Sequence, residues 1–276
     1  MKAINLPRNC HYTWVGMLAI LAIVNGAGCG PDKAKEISAT NPPRAASPPD
    51  LMMNPGRTAD NRVLALDGKT ASFRVPDSPS LHSLSNAMTL ELWFKAASFY
   101  QQSGAVNSLL RKNVEAGGEN FFLRFRIMWG RPAIELSCGN RLLQAAYDFE
   151  PGTWYHLAGT YDGKRITALV NGVAVSSQSF NGAIGIDDSD LIIGKGDPNF
   201  SRGEYFHGEV DDIRIWNLAR SPEQIREAMH AHLTGKEPGL VAYWPFDDGT
   251  AKDFSTNGNN GVLEGASIVG AQDNTR

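Results

Sequence analysis

The stretch "WYHLAGTYDGKRITALVNGVAV" (Trp154–Val175) decides the fold class of this chain. Its apolar segments Tyr155–Tyr161 and Arg165–Val170 flank the pair Asp162-Gly163, and the pair Asn171-Gly172 follows the second segment. Asp-Gly and Asn-Gly pairs tolerate the positive φ angles that two-residue hairpin turns require. The stretch therefore predicts antiparallel strands joined by tight turns.

Strand-like segments also occur at Met88–Lys95, Phe121–Met128 and Gly208–Trp216. Apolar and mixed positions alternate along the first two, which is typical of a sheet with one buried side. Many short strands without alternating helices predict an all-β fold, namely a two-sheet antiparallel jelly-roll sandwich.

One short helix is expected in the C-terminal half of the chain. Ser221-Pro222-Glu223-Gln224 combines an N-cap, a proline at the first helical position and a capping-box Gln three places after the cap. Ile225, Ala228 and Met229 then form a narrow apolar stripe that can pack against a sheet, and the helix should end near His232.

The first 28 residues have the features of an export signal. A short basic segment precedes the apolar run Trp14–Val24, which is too short to span a bilayer stably, and small residues lead to Cys29. This end resembles a bacterial lipoprotein signal, which implies removal of residues 1–28 and lipid on Cys29. Gly26 stands where such signals usually have Leu, so ordinary signal cleavage stays open, and an uncleaved membrane helix is less favoured. We expect an exported protein, lipid-anchored to a bacterial membrane at the periplasm or the cell surface.

The rest of the chain divides by composition. Residues 29–60 are rich in Pro, Ala, Ser and charge and predict a disordered tether, followed by one domain over residues 61–270 and a tail over 271–276. The net charge of −3 and the lack of a Lys/Arg run disfavour nucleic acid as a partner. Cys138 is the only cysteine of the predicted domain, so no internal disulfide is expected and the thiol should be buried.

Six segments follow one another in an order shared with a known family. They are "ALDGKTASFRVPDSPSL" (65–81), "MTLELWFKA" (88–96), "WYHLAGTYDGKRITALVNGVAV" (154–175), "LIIGKG" (191–196), "FHGEVDDIRIWNLARSPEQI" (206–225) and "GLVAYWPFDDG" (239–249). They resemble the laminin-G-like jelly-roll domains of the concanavalin A-like lectin/glucanase superfamily. The resemblance implies two packed antiparallel sheets, one of them curved. It also implies a family that mostly binds carbohydrate or protein, often with calcium, while a minority of its members cleave glycans.

One segment departs from the order seen in that family. In many relatives the stretch corresponding to Trp244–Asn260 precedes the first "LDG" strand, whereas here it comes last. Either this segment folds back to complete the sandwich, or it begins a second, truncated repeat. Completion is expected, because Val241, Tyr243 and Trp244 would otherwise be exposed.

The strand "HGEVDDIRIW" (His207–Trp216) partly matches the carboxylate motif of sugar-cleaving relatives. Glu209 and Asp211 match the first two acidic positions, but the third falls on Ile213 or Arg214, and neither donates a proton at neutral pH. The sequence therefore predicts that the protein is not an enzyme, and a divergent glycoside hydrolase is the least favoured alternative. Strict alternation divides the strand into two faces: Glu209, Asp211, Ile213 and Ile215 on one, and Asp212, Arg214 and Trp216, as a solvated or ion-paired face, on the other.

The candidate ligand-binding residues occupy the mixed positions of alternating strands. They are Glu91, Trp93, Arg124, Arg126 and His156. Aromatic planes stack on the C–H faces of sugars and arginine forks bind hydroxyls, so this set favours a carbohydrate. In the alternative, Trp93 and His156 are buried under a loop and both arginines are ordinary surface residues, because period alone does not identify the solvent face.

The family resemblance also implies a calcium ion near the loop Asp253–Gly258 and the "LDG" strand. Asp67, Asp212 and Asp253 are the candidate ligands, and the acidic loop Asp187–Asp190 is expected to be solvated. We therefore expect an envelope-anchored module that binds a glycan, with support from calcium. The leading alternative is an adhesion module that contacts a cell-surface protein and has no sugar site.

Overall fold

The computed structural model describes residues 61–100, 104–112, 120–128, 130–185, 187–196 and 204–271. The predicted export signal, Cys29 and the tether lie outside these residues, as does most of the predicted tail. Within the described part of the chain, no helix combines the length and the apolar character needed to cross a membrane.

The described residues form two antiparallel sheets packed face to face. The first sheet contains β1 (Arg62–Asp67), β3 (Met88–Ser98), β8 (Trp154–Tyr161), β9 (Arg165–Val170), β10 (Val173–Ser179), β12 (His207–Trp216), β13 (Leu240–Trp244) and β15 (Ser267–Gly270). The second contains β2 (Ser72–Val75), β4 (Val106–Lys112), β5 (Phe121–Met128), β6 (Arg131–Cys138), β7 (Arg141–Ala146), β11 (Leu191–Ile193) and β14 (Val262–Glu264). The strand orders are β10-β9-β8-β3-β12-β1-β15, with β13 beside β12, and β14-β2-β11-β4-β5-β6-β7. The predicted two-sheet sandwich is confirmed.

The hairpins of the central stretch form where the sequence predicts them. Asn171 and Gly172 have φ angles of 49° and 70°, which are the positive values of a turn that matches the twist of paired strands. At the preceding turn Gly163 has φ 86°. Two backbone N–H groups after it, those of Lys164 and Arg165, donate to the Asp162 carboxylate at 2.8 and 2.7 Å. These local contacts fix the register of β8, β9 and β10.

The core lies between the sheets and receives side chains from both. Phe73 and Phe125 of the second sheet and Phe94, Leu157 and Trp244 of the first are fully buried in it. Trp244 packs edge-to-face on Phe73, with the ring centroids 5.7 Å apart. Because β13 also pairs with β12, the C-terminal segment completes the sandwich, as the sequence predicts.

Helix α1 (Pro222–Ala228) has the predicted N-terminus but ends earlier than predicted. The Ser221 hydroxyl accepts from the Gln224 N–H, and the Gln224 side chain accepts from the Ser221 N–H at 2.8 Å. At this end the Ala228 carbonyl accepts the Ala231 N–H at 2.9 Å, a three-residue spacing that tightens the last turn. Arg214 donates to the Ala228 carbonyl at 2.8 Å and to the Ala231 carbonyl at 2.6 Å, so the chain leaves the helix before His232.

Candidate ligand-binding face

The outer face of the first sheet is covered. Residues 217–238, here called the covering segment, include α1 and pack Ile225 on Ala158 and Leu169, and Met229 on Trp93. Beneath this segment Glu91 is 0%, Trp93 3% and His156 1% exposed. The expectation that these three predicted ligand residues face solvent is therefore wrong, and Trp93 and His156 are buried as in the alternative. Alternation identifies two faces but cannot show which of them another segment covers.

The covered side chains bond to one another and to the covering segment. The Trp93 indole N–H donates to the Met229 carbonyl at 2.8 Å, and the Trp216 indole N–H donates to Glu91 at 2.7 Å. Burial acts to raise the pKa of Glu91, but His156, whose Nε2 lies 3.4 Å from a Glu91 oxygen, and the positive charge of Arg214 outweigh it, so this pKa is lowered. Glu91 thus serves as a buried anion in a polar network.

Strand β12 carries a bulge that changes which side chains share a face. Asp212 has φ 47°, its N–H donates to the Asp211 carboxylate at 2.8 Å, and the register with β3 shifts between Asp211 and Arg214. Val210, Ile213 and Ile215 therefore face the core. Glu209, Asp211, Arg214 and Trp216 share the outer face, opposite Lys95, Trp93, Glu91 and Thr89 of β3. The division predicted from strict alternation is wrong, because the extra residue in the bulge exchanges the two faces for all side chains that follow it.

The carboxylates of this strand are buried or paired with cations. Asp211 is fully buried, and a Glu209 oxygen lies 2.8 Å from the Lys95 ammonium. Arg214 is fully buried as well and has an Asp212 oxygen 3.9 Å from its guanidinium, so this pair is ion-paired but not solvated. Among the described residues these carboxylates do not line an open groove.

The outer face of the second sheet carries partly exposed side chains in the part of the chain that the structure describes. Phe122, Arg124 and Arg126 of β5 are partly exposed there, and Gln144 of β7 is exposed. Arg124, Glu135 and Gln144 stand directly opposite one another across β5, β6 and β7. We call Phe122, Arg124, Arg126, Glu135 and Gln144 the arginine face. Of the five predicted ligand residues, the structure brings Arg124 and Arg126 together here and leaves the other three on the far side of the sandwich.

Glu135 holds the arginine face in place. Its carboxylate accepts from Arg124 Nε at 2.8 Å, from Arg126 Nε at 2.7 Å and from Gln144 Nε2 at 2.8 Å, and it is 0% exposed. Burial acts to raise the pKa of Glu135, but the charge of Arg124, the bond from Gln144 and the charge of Arg126 outweigh it, so this pKa is lowered. The carboxylate stays ionised at neutral pH and fixes both guanidinium planes.

The arginine face offers flat groups and hydrogen-bond donors side by side. The Arg124 guanidinium lies 4.1 Å from the centroid of the Phe122 ring, so that a cation and an aromatic plane are stacked. A guanidinium has five N–H donors, and the bond from Nε to Glu135 uses one of them. This arrangement suits a ligand with several hydroxyl groups and an apolar edge.

Sequence analysis missed Phe122, Glu135 and Gln144 on this face. One signal was available: in "PAIELSC" (132–138), Ile134, Leu136 and Cys138 alternate with Glu135 and Ser137. The alternation predicts a strand with one polar side. It does not show that the single acid of that strand sits opposite Arg124.

The three predicted calcium ligands do not form one site. Asp67 pairs with His207, and Asp212 lies five residues further along β12, roughly 16 Å away at about 3.3 Å per residue. The Asp67 carboxylate accepts three backbone N–H groups, from Lys69, Thr70 and Ala71, which lower its pKa. The Asp253 carboxylate likewise accepts the N–H groups of Tyr243, Ser255 and Asn259. Asp67 and Asp253 therefore bond to the backbone of their own turns. Calcium instead requires several oxygens about 2.3–2.6 Å from one ion.

Another acidic group has the spacing of a metal site. Single ligand atoms of Asp77, His82 and Asp188 lie within 4.8 Å of one another. The Lys112 ammonium already contacts this group: it donates to Asp77 at 2.5 Å and to the carbonyls of Asp187 and Ser189. The loop Asp187–Asp190 is therefore packed around a buried cation, and the expectation that it is merely solvated is wrong.

Comparison with known proteins places this geometry in a family. A laminin G-type family model, described as the concanavalin A-like lectin/glucanases superfamily, matches residues 67–226. The chain belongs to the concanavalin A-like lectin/glucanases superfamily. No protein among curated sequences matches the chain.

Two solved structures show the same superfamily fold. A candidate carbohydrate binding protein from Bacteroides ovatus matches with a TM-score of 0.61 and 21% identity over 77% of this chain and 60% of that protein. The native heptameric SAP-like pentraxin from Limulus polyphemus matches with a TM-score of 0.55 and 14% identity over 78% of this chain and 98% of that one. The chain thus spans about three fifths of the Bacteroides protein. In this member of the concanavalin A-like superfamily, the strands after residue 226 lie beyond the matched range and still complete the sandwich.

Proposed function

We propose that this protein is a binding module for carbohydrate and that the arginine face holds the ligand. One observation carries the proposal: an open sheet face presents two arginines, oriented by a buried carboxylate, beside an aromatic ring. The likeness in fold to a candidate carbohydrate binding protein supports the same class of function.

Binding on this face would use stacking and hydrogen bonds together. The Phe122 ring offers an apolar plane for the C–H side of a sugar, and Arg124 and Arg126 donate to hydroxyl oxygens. Because Glu135 holds both Nε atoms, little side-chain entropy is lost when the ligand binds.

The proposed function does not include bond cleavage. Retaining glycosidases need two carboxyl groups about 5 Å apart, one of them able to give a proton. On the arginine face Glu135 is held ionised by two arginines. On β12, Glu209 is paired with Lys95 and Asp211 is buried. Hydrolysis of a polysaccharide that is lost in Glu209→Gln would overturn this part of the proposal.

A glycan array with the purified full chain tests the binding proposal. Arg124→Ala and Arg126→Ala should each abolish the signal from uncharged glycans, while Arg165→Ala should keep it, because Arg165 is exposed on β9 and bonds to Ser177. Absence of any glycan signal at high protein concentration would refute carbohydrate binding and favour a protein partner. A signal from uncharged glycans that survives in both arginine variants would refute the assignment to this face.

We also propose that the module is exported and anchored through lipid on Cys29. The basic segment, the short apolar run and the small residues before Cys29 support this proposal. Incorporation of a fatty-acid analogue in the wild type and its loss in Cys29→Ala are expected. Equal incorporation in both proteins would contradict the anchor.

Calcium support is the last part of the proposal, and Asp77 and Asp188 are its ligand candidates in the described residues. One oxygen of each lies within 4.8 Å of the other, and Asp77 is also paired with the Lys112 ammonium. Calcium should raise the melting temperature of the wild type and not that of Asp188→Asn. A melting temperature that a chelator leaves unchanged would remove calcium from the proposal.

A further inference from the structure

A cleft lies between the turn that joins β6 and β7 and the loop that follows β10. Its volume is about 470 Å³, within the range of about 300–1,000 Å³ typical of small-ligand sites. The lining residues are Asn140, Arg141, Lys164, Ser179, Phe180, Asn181, Gly182 and Ala183. We call this the cationic cleft, because its lining contains two cations and no carboxylate.

The charge of the cationic cleft differs from that of the whole protein. Arg141 and Lys164 are both exposed there, whereas the chain carries a formal charge of −3. The nearest acid in sequence, Asp162, is outside the lining and accepts the backbone N–H groups of Lys164 and Arg165. The cleft therefore attracts anions in spite of the overall negative charge.

The floor of the cleft is rigid. The Phe180 ring is 8% exposed and lies 5.3 Å from the ring of the buried Tyr161, and the Phe180 N–H donates to the Lys164 carbonyl at 2.9 Å. A side chain at Gly182 would bring a Cβ atom within 2.6 Å of the Phe180 ring, so glycine allows the loop to lie flat against it. The Gly182 N–H also donates to the Tyr161 hydroxyl at 3.2 Å. The site is therefore formed before a ligand arrives.

The cation and the aromatic floor are adjacent. The Arg141 guanidinium lies 6.0 Å from the Phe180 ring centroid, and the amides of Asn140 and Asn181 and the Ser179 hydroxyl surround them. Arginine binds carboxylates with two parallel N–H groups, and lysine adds a point charge. Amide and hydroxyl groups bond to sugar hydroxyls.

We propose that the cationic cleft is a separate binding site for an acidic saccharide, with a uronate carboxylate bound between Arg141 and Lys164. The sugar ring lies toward Phe180, and its hydroxyl groups bond to Asn140, Ser179 and Asn181. The site lies where β6 turns into β7, whereas the arginine face lies further along β5, β6 and β7, and the two sites share no residue.

Calorimetric titration of the purified full chain tests this site. The probe is trigalacturonate, and its methyl ester is the matched control because it keeps the shape and lacks the charge. Arg141→Gln and Lys164→Gln should each weaken binding about tenfold or more, as expected when a charge-assisted hydrogen bond is lost. Arg165→Gln, next to Lys164 but outside the lining, should bind as the wild type does.

The outcomes separate this proposal from the proposed function. Arg124→Ala should leave trigalacturonate binding unchanged. A negative result for the arginine face therefore leaves the proposal for the cationic cleft standing, and the reverse also holds. No binding of trigalacturonate, equal binding of its ester, or full affinity in both cleft variants would overturn the proposal. Tighter, Arg141-dependent binding of a sulfated trisaccharide would overturn the carboxylate assignment in favour of sulfate.

Discussion

Glu135→Gln should destabilise the domain and disable the arginine face. The substitution keeps the shape of the side chain but removes the charge that Arg124, Arg126 and Gln144 share. Breaking a buried ion pair costs about 3–5 kcal/mol. The Arg124 and Arg126 side chains are 17% and 35% exposed and can regain water, so a loss of about 2–3 kcal/mol is expected. For a domain of this size that corresponds to a fall in melting temperature of about 4–12 °C.

The pH dependence of this loss has a defined sign. The pKa of Glu135 is lowered in the folded state, so its stabilisation is fully present above the unfolded value of about 4.3 and is lost as the pH falls through the folded value. Thermal melts of wild type and Glu135→Gln should therefore differ at neutral pH and converge in acid. Glu150→Gln, at an exposed position, is the control and should melt like the wild type. A gap that persists unchanged into strong acid would refute the role assigned to the carboxylate.

Three further substitutions or treatments test other parts of the structure. Arg214→Met should cost about 3–5 kcal/mol in chemical denaturation, because the buried Glu91 loses its cation and the Ala228 and Ala231 carbonyls lose the Arg214 donors; a cost below about 1 kcal/mol would show that these contacts do not stabilise the fold. Lys112→Met should speed hydrogen exchange in residues 187–190, because their carbonyls lose the ammonium, and unchanged exchange would show that the loop stands without it. Burial raises the pKa of Cys138 to about 12, so an alkylating reagent at mildly alkaline pH should label it only after unfolding.

The elements set by local contacts were predictable from the sequence. The turns at Asp162-Gly163 and Asn171-Gly172 depend on residues that adopt positive φ, and the N-terminus of α1 depends on Ser221 and Gln224. Each of these signals involves residues no more than a few positions apart. The first turn of the helix and the strand register beside each hairpin follow directly.

Which sheet face each side chain of β12 occupies was not predictable in the same way. Alternation assumes that every residue turns the side chain by half a rotation, and Asp212, with φ 47°, breaks that assumption in the middle of the strand. At this bulge the partner on one edge of β12 changes from β1, which pairs with β12 as far as Val210, to β13, which pairs with it from Ile213 onward. The bulge is thus tied to the arrival of a strand from much later in the chain.

The candidate site was predicted only in part because it depends on which sheet face stays open. Glu91 and Trp93 of β3 and Arg124 and Arg126 of β5 occupy the same kind of alternating position. On the first sheet, Trp93 and Arg214 donate to the carbonyl groups at the end of α1. The two arginines of the second sheet find their partner in Glu135, on the neighbouring strand.

The position of β12 explains why the first sheet is the covered one. This strand lies between β3 on one side and β1 and β13 on the other, and its inner face packs on the second sheet. The helix begins six residues after β12 ends at Trp216, so the chain has little length to reach any surface except the outer face of its own sheet. Side chains on that face then donate hydrogen bonds to carbonyl groups at the end of the helix, which need donors when they are buried. In the described residues, β5, β6 and β7 of the second sheet have no such short connection to a helix, and Arg124 and Arg126 stay partly exposed.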